Sequence, residues 1–300
     1  MVTVRKRILR NRTYYYLEHS LRLKGYVEKR ERYLGKSMPK DIEARKKAFL
    51  GEIYKEKWYP LLEEIRKGYA QDLRKTPPTG RERNLSAFAT VFTYDTQRIE
   101  GSALTLHETA DLLEKGITPS ARPLGDVKEA EAHRAIFADM LQERRDISLA
   151  LVLRWHHELF RTTRSDIAGR LREHQVAISG SRFVPPLPAE VYPLLRSFFR
   201  LYVRSKDSVH PVESAALVHL KFVTIHPFSD GNGRIARLLM NFILNRAGYP
   251  MLNIPYAGRS SYYTALERAQ TKQMESIFLQ WFFRRYVRDH RRYLSQPRRG

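Results

Sequence analysis

Cysteine is missing from all 300 residues. Its absence removes disulfides, thiolate metal sites and cysteine nucleophiles together, and it suits a reducing compartment. Long apolar runs are missing too: none approaches the ~20 residues that a membrane-spanning helix needs. The opening Met1-Val-Thr-Val-Arg runs into basic and aromatic residues rather than the apolar centre of a secretion signal. The expectation is a soluble, cytoplasmic protein with no membrane contact. No internal repeat or low-complexity tract is visible. Negative charge is scarce, with 32 Asp and Glu against 54 Lys and Arg, for a net +22.

That excess is concentrated at the two ends. Residues 1–36 hold eleven Lys and Arg against Glu18, Glu28 and Glu31, a net +8, and residues 284–300 hold seven Arg against Asp289, a net +6. Such ends read first as a solubilising surface. The alternative is tracking of nucleic acid or of an acidic protein surface.

Along the chain, residues 2–36 read as strands. Val2-Thr-Val-Arg, Thr13-Tyr-Tyr-Tyr-Leu-Glu-His and Gly25-Tyr-Val-Glu-Lys-Arg-Glu-Arg-Tyr-Leu are rich in aromatic and β-branched residues, with turn signals at Asn11-Arg12 and Lys24-Gly25. This segment is expected to form a small antiparallel meander. Gly35-Lys36-Ser37 is no phosphate loop, because the glycine that motif needs at position 30 is Arg30.

From Pro39 the apolar spacing turns helical and stays so. A helix is expected over 41–75, broken by Thr76-Pro-Pro-Thr-Gly80. Others follow at about 84–99, 104–115, 126–144, 147–160, 188–204, 211–225, 233–246, 259–270 and 274–293. The expected domains are 1–36 (a basic β appendage), 37–125 (N-terminal helices) and 126–300 (a helical core with C-terminal helices). One interruption stands out: Gln175-Val-Ala-Ile-Ser-Gly-Ser-Arg-Phe-Val-Pro-Pro186 has strand residues around a Ser-Gly-Ser turn. It reads equally as a surface loop or as a two-stranded ribbon whose edge accepts an extended peptide.

The chemistry is concentrated in His226-Pro-Phe-Ser-Asp-Gly-Asn-Gly-Arg-Ile-Ala-Arg237. Asp230 is a hard oxygen ligand suited to Mg²⁺ beside phosphates. Gly231-Asn232-Gly233 can turn successive backbone N–H groups toward one anion at a helix N-terminus. Arg234 and Arg237 lie three apart on one face of the following helix, and guanidinium forks grip phosphate oxygens at two points. His226, at the end of the buried stripe Val212, Ala215, Ala216, His219, Phe222 and Val223, can take a proton from a nucleophile. Phe228 reads as a structural wedge between the two helices. His156-His157-Glu158 has neither the spacing nor the third ligand of a zinc site, and His210-Pro211 reads as a helix start.

This twelve-residue run resembles in full the signature of Fic proteins, His-x-Phe-x-(Asp/Glu)-Gly-Asn-Gly-Arg-x-x-Arg. The resemblance extends over roughly residues 84–285, taking in Ala168-Gly-Arg-Leu-Arg172 and Arg259-Ser-Ser-Tyr-Tyr-Thr-Ala-Leu266. It implies a mainly α fold, a Fic-type helical bundle with a short β-hairpin flap, here joined to the N-terminal antiparallel appendage. It further implies transfer of AMP from ATP to a Ser, Thr or Tyr hydroxyl of a target protein. In that reading His226 is the general base and Asp230 holds Mg²⁺. Gly231, Asn232, Gly233, Arg234 and Arg237 bind the phosphates, and Val176, Ala177, Ile178, Ser179 and Gly180 form the flap that holds the target. Tyr262 and Tyr263 belong either to the adenine pocket or to the core.

Upstream, Tyr94-Asp-Thr-Gln-Arg-Ile-Glu-Gly-Ser102 resembles the Fic inhibitory motif, (Ser/Thr)-x-x-x-Glu-(Gly/Asn), through Thr96, Glu100 and Gly101. By the same resemblance Glu100 pairs with Arg237 and blocks seating of the γ-phosphate, and proteins of this class often form homodimers. Two other functions stay open: removal of AMP by the same site, and a nucleic-acid-binding regulator that uses the core as a nucleotide sensor.

Overall fold

The computed structural model describes residues 2–23 and 26–295. The expected turn at Lys24-Gly25 lies outside the described residues, as do the last five positions. The chain divides into two compact units, 1–63 and 64–300.

In the first unit, β1 (Thr3–Leu9), β2 (Arg12–Leu23) and β3 (Tyr26–Gly35) form an antiparallel meander in the order β1-β2-β3. The first turn is tight because Arg10 and Asn11 both take positive φ, 48° and 58°, the twist that a two-residue hairpin requires. Cross-strand ion pairs link the strands: Glu18 meets Arg5 and Lys29, and Glu31 meets Arg7. Helix α1 (Ile42–Lys75) follows and continues past residue 63.

The second unit is helical: α2 (Pro78–Ile99), α3 (Leu106–Lys115), α4 (Leu124–Gln142), α5 (Leu149–Phe160), α6 (Pro188–Ser205), α7 (Pro211–Ile225), α8 (Asn232–Arg246), α9 (Arg259–Thr271) and α10 (Glu275–Asp289). The chain breaks at Thr76-Pro77 and resumes as helix one residue later, because proline is tolerated in a helix's first turn. Thr105 and Glu108 form a reciprocal capping box for α3, and Gly116 ends that helix with φ 71°.

Helices α7 and α8 are the centre of this unit. The stripe expected to point inward on α7, from Val212 to Val223, is buried throughout. On α8 almost every residue from Asn232 to Leu244 is buried, including Arg234, Arg237 and Asn241. The polar stripe of this helix therefore faces a protein interior. Burial of that kind requires partners for each polar group. Asn241 shows how this is met: its amide donates to the Leu252 carbonyl (3.1 Å) and accepts from the Leu252 N–H (2.8 Å), fixing the chain after α8.

One expected element is not formed. Among the described residues the strands are β1, β2 and β3 alone, so residues 175–186 are an extended arm with a turn and no paired ribbon. The turn itself is present, closed by Ser181 N–H to the Ile178 carbonyl at 3.1 Å with Gly180 at φ 73°. Ladder pairing fails because Pro185 and Pro186 have no N–H to donate. The Pro185 carbonyl is taken instead by the Gln175 side chain at 3.0 Å, and the Pro186 carbonyl by the Arg172 guanidinium.

Candidate active site

His226 caps α7 in the left-handed conformation, with φ 52° and ψ 59°. The reversal turns the chain sharply toward α8 and presents the imidazole beside the loop 227–231. Its Nδ1 lies 3.2 Å from the Val223 carbonyl, which assigns the proton to Nδ1 and leaves Nε2 with a free lone pair. Burial pushes the His226 pKa below its ordinary value, opposed by the Val223 contact. A neutral imidazole is the form a general base requires.

The loop is held from inside. Phe228 is fully buried and stacks on the His156 ring, with centroids 3.7 Å apart and planes 8° from parallel. Asn232 uses both ends of its amide on Phe228, accepting from its N–H at 2.9 Å and donating to its carbonyl at 2.8 Å. The Asn232 side chain thus fixes the loop through Phe228. His156 accepts from Gly169 N–H on Nδ1 (2.9 Å) and so donates from Nε2 to the Asp230 carbonyl (3.1 Å). Burial pushes its pKa down to about 4, which keeps it neutral. Gly231 takes φ 77°, and a Cβ there would sit 2.6 Å from the Phe160 ring; only glycine fits.

The two arginines lie in a buried polar layer. Arg234 is 2% exposed and Arg237 is 1% exposed, a depth at which an unpaired cation would be prohibitively costly. Arg234 donates to Gln97 Oε1 at 3.1 Å, to Asp230 Oδ1 at 3.3 Å and to the Glu129 carboxylate, and its guanidinium lies over Phe160 at 4.7 Å. Gln97 returns the contact by donating to the Glu129 carbonyl at 2.7 Å. Arg237 donates to the Thr96 carbonyl at 3.3 Å and to the Glu100 carboxylate. Both guanidinium Nε–H groups, and the Thr96 hydroxyl, are buried without a hydrogen-bond partner.

Glu100 follows the last residue of α2, and Gly101 takes φ 102°. The Glu100 carboxylate rests directly on the α-carbon of Gly233, where any Cβ would collide with it. It therefore occupies the N-terminal turn of α8, the place where helix N–H groups attract an anion. Asp230 is flanked by the Arg164 guanidinium and by Arg234, and these cations hold its pKa below the usual carboxylate range against the opposing effect of burial. Among the described residues no group of three or more His, Cys, Asp or Glu is arranged to hold a metal. Asp230 alone fits an ion that takes one protein oxygen and the rest of its shell from phosphates and water, as Mg²⁺ does.

Tyr262 and Tyr263 part company. Tyr262 is 1% exposed and its hydroxyl meets His219 Nε2 at 3.1 Å, so it belongs to the core. Tyr263 is 44% exposed and donates to the Ile99 carbonyl at 3.1 Å, beside Glu100. Val176 to Gly180 lie on the extended arm rather than in a ribbon.

Arg172, 3% exposed, carries a role that no sequence pattern indicates. It donates to the His226 carbonyl (2.8 Å), the His174 carbonyl (3.1 Å) and the Pro186 carbonyl, so one side chain fastens both roots of the arm to the turn at His226. His156, Gln97, Glu129 and Arg164 are likewise not legible in the sequence. The only local signal for any of them is the His-His-Glu run at 156–158, which hints at zinc and not at a loop support.

Comparisons with known proteins converge on one family. Residues 146–244 match the Fic/DOC family. Protein adenylyltransferase Fic of Drosophila ananassae is 38% identical over 181 residues, which is 59% of this chain and 36% of that protein. Protein adenylyltransferase fic-1 of Caenorhabditis elegans is 34% identical over 206 residues, 67% of this chain and 39% of that protein. The chain thus spans about two fifths of the length of the curated relatives it matches. Among solved structures, a Fic domain containing signaling protein from Bacteroides thetaiotaomicron is similar with a TM-score of 0.69 at 26% identity, covering 80% of this chain and 100% of that one. A Fic-1 structure from C. elegans gives a TM-score of 0.69 at 26% identity, covering 85% and 77%. The His226–Arg237 run, seated on the buried α7–α8 pair, lies inside residues 146–244, so the chain carries a Fic/DOC-family domain.

Proposed function

We propose that this protein is an adenylyltransferase that moves AMP from ATP to a hydroxyl side chain of a target protein, and that Glu100 holds it in check. The observation that carries the reading is the placement of a neutral, Nδ1-protonated His226 beside an α8 N-terminus armed with Arg234 and Arg237. In the reaction the target oxygen attacks the α-phosphorus, its proton passes to His226 Nε2, and the bond from the α-phosphorus to the bridging oxygen breaks to release pyrophosphate. The chain's own contribution is alignment and charge neutralisation, as in other phosphoryl transfers. The turn at Gly231-Asn232-Gly233 offers backbone N–H groups, Arg234 and Arg237 offer guanidinium forks, and Asp230 is the residue to hold Mg²⁺. When bound, that ion offsets negative charge on the phosphates.

Restraint follows from the same contacts. Arg237 is already committed to Glu100, and the Glu100 carboxylate covers Gly233, so the terminal phosphate of ATP competes with a carboxylate for one cation and one helix end. Incubating the protein with ATP labelled at the α-phosphate and with candidate targets, followed by intact-mass analysis, tests the transfer. A mass gain other than that of AMP, or none with Glu100 removed, would sink it.

A hydrolytic reading has one observation in its favour: the Glu100 carboxylate sits against Gly233, in the turn that follows His226. A carboxylate there can orient a water for removal of AMP from a modified protein. Offering AMP-modified target to wild type and to Glu100→Gly separates the two activities, because removal requires the carboxylate and transfer does not.

A further inference from the structure

The chain's surplus positive charge is not spread evenly over its partners. In the meander Arg5 and Lys29 are answered by Glu18, and Arg7 by Glu31. The groove between α9 and α10 is different. It encloses about 690 Å³ and is lined by Arg268, Arg284, Arg285 and Arg288 with no Asp or Glu in its wall. Asp289 answers Arg285, and meets Arg288 at 3.3 Å. Arg268 and Arg284 are exposed and have no carboxylate partner among the described residues.

Trp281 lies in the same wall. Its ring stacks on buried Phe278, with centroids 5.4 Å apart and planes 25° from parallel, and is tilted against Tyr262 at 5.6 Å; its indole N–H meets Ser261 Oγ at 3.3 Å. Ser260 and Thr264 add exposed hydroxyls beside it. A pinned aromatic ring, flanked by unpaired guanidiniums and hydroxyls, is the equipment that holds an unpaired base and its neighbouring phosphates. A membrane-inserting face would need an exposed apolar stripe, which this wall lacks. A duplex would hide its bases from Trp281.

We propose that the α9–α10 groove is a binding site for single-stranded nucleic acid, with bases stacking on Trp281 and phosphates held by Arg268, Arg284 and Arg288. The site is separate from the His226–Arg237 turn and does not rest on the transferase reading. It gives the Arg-rich end of the sequence a ligand, since Arg291 and Arg292 follow α10 directly.

Intrinsic fluorescence provides a direct test. The chain has three tryptophans, of which Trp58 and Trp155 are buried at 7% and 0% exposure, so quenching by a bound base reports on Trp281. Full-length protein is titrated with twelve-residue oligo-dT and oligo-rU at rising salt. The expected result is quenching, with log affinity falling linearly with log salt. Arg268→Glu with Arg284→Glu should weaken binding at least ten-fold and reduce the slope by about 1.4, since each phosphate neutralised on a single strand contributes roughly 0.7. Trp281→Leu should weaken binding about ten-fold with the slope retained. The arginine variants alter exposed side chains only, so the proposal stays testable should Trp281→Leu fold poorly. Three results would overturn it: no binding at low salt, binding lost in Lys6→Glu with Arg12→Glu but kept in the groove variants, or equal binding of duplex DNA or polyglutamate without quenching.

Discussion

Arg237 donates to the Glu100 carboxylate across 137 positions of sequence, so the end of α2 closes the guanidinium that α8 presents. Replacing Glu100 by glycine removes that carboxylate and uncovers Gly233. Transfer of α-labelled AMP should rise at least ten-fold. The same change strands a buried cation, so stability in urea unfolding should fall by about 3 kcal/mol, with ATP restoring part of the loss by mass action. Unchanged transfer by Glu100→Gly would remove the restraint assigned to this pair.

His226→Ala should lower transfer by about 10²–10⁴-fold, the usual worth of a positioned general base, with little change in ATP affinity. Because burial holds the His226 pKa below its ordinary 6.5, the base is already deprotonated at neutral pH. The rate should therefore change little between pH 8 and 7 and fall with an apparent pKa below 6.5. A rate that falls between pH 8 and 7 would contradict the neutral assignment.

Two glycines of one turn should fail differently. Gly231→Ala forces an L-residue to φ 77° and sets a methyl 2.6 Å from the Phe160 ring, which should cost about 2–4 kcal/mol of stability in thermal or urea unfolding. Gly233 has an ordinary helical φ, and its added methyl would meet the Glu100 carboxylate and, at 3.1 Å, Arg237 Nη1. Gly233→Ala should therefore wedge apart the Glu100–Arg237 pair without backbone strain, losing ATP binding by calorimetry and at most the stability that Glu100→Gly loses.

Acid should destabilise the second unit in a defined window. Burial pushes His133 and His219 each down to about 3 from 6.5, helped by Arg237 in both cases. Above pH 6.5 both are neutral folded or unfolded, and neither affects stability. Below 6.5 the unfolded chain takes up protons that the folded chain refuses, so stability falls by about 1.4 kcal/mol per pH unit per histidine until pH approaches the folded values. The urea midpoint should drop steeply from pH 6.5 toward 4. His219→Gln, which can still meet the Tyr262 hydroxyl, should make that slope shallower.

Arg172→Ala leaves three carbonyls without their shared donor. The arm 174–186 should become the first site of limited proteolysis, and KM for a protein target should rise more than KM for ATP. Arg172→Lys should behave like Arg172→Ala, because one ammonium cannot span the carbonyls of His226, His174 and Pro186.

Helix positions are largely readable from the spacing of apolar residues. α7 and α8 appear within a residue of the expected 211–225 and 233–246, since their termini carry Pro211 at one end and Gly248 and Pro250 at the other. The arm is the exception, with the residues of a ribbon and the structure of none. Its Val, Ile and Phe favour extended backbone, but the pairing that turns extended backbone into a ladder depends on donors, and Pro185 and Pro186 have none.

The sequence by itself determined the shape of the His226–Arg237 turn, because it rests on short-range geometry: a helix end, a positive φ and a three-residue spacing. It also determined that Glu100 ends a helix beside a glycine. Only the tertiary structure decided what those groups touch. Arg172 reaching the His226 carbonyl, His156 stacking under Phe228 and Glu129 meeting Arg234 join residues 54, 72 and 105 positions apart. No local pattern records such pairs. They arise because a buried polar group must find a partner wherever the packing of α2, α4, α5 and α8 supplies one.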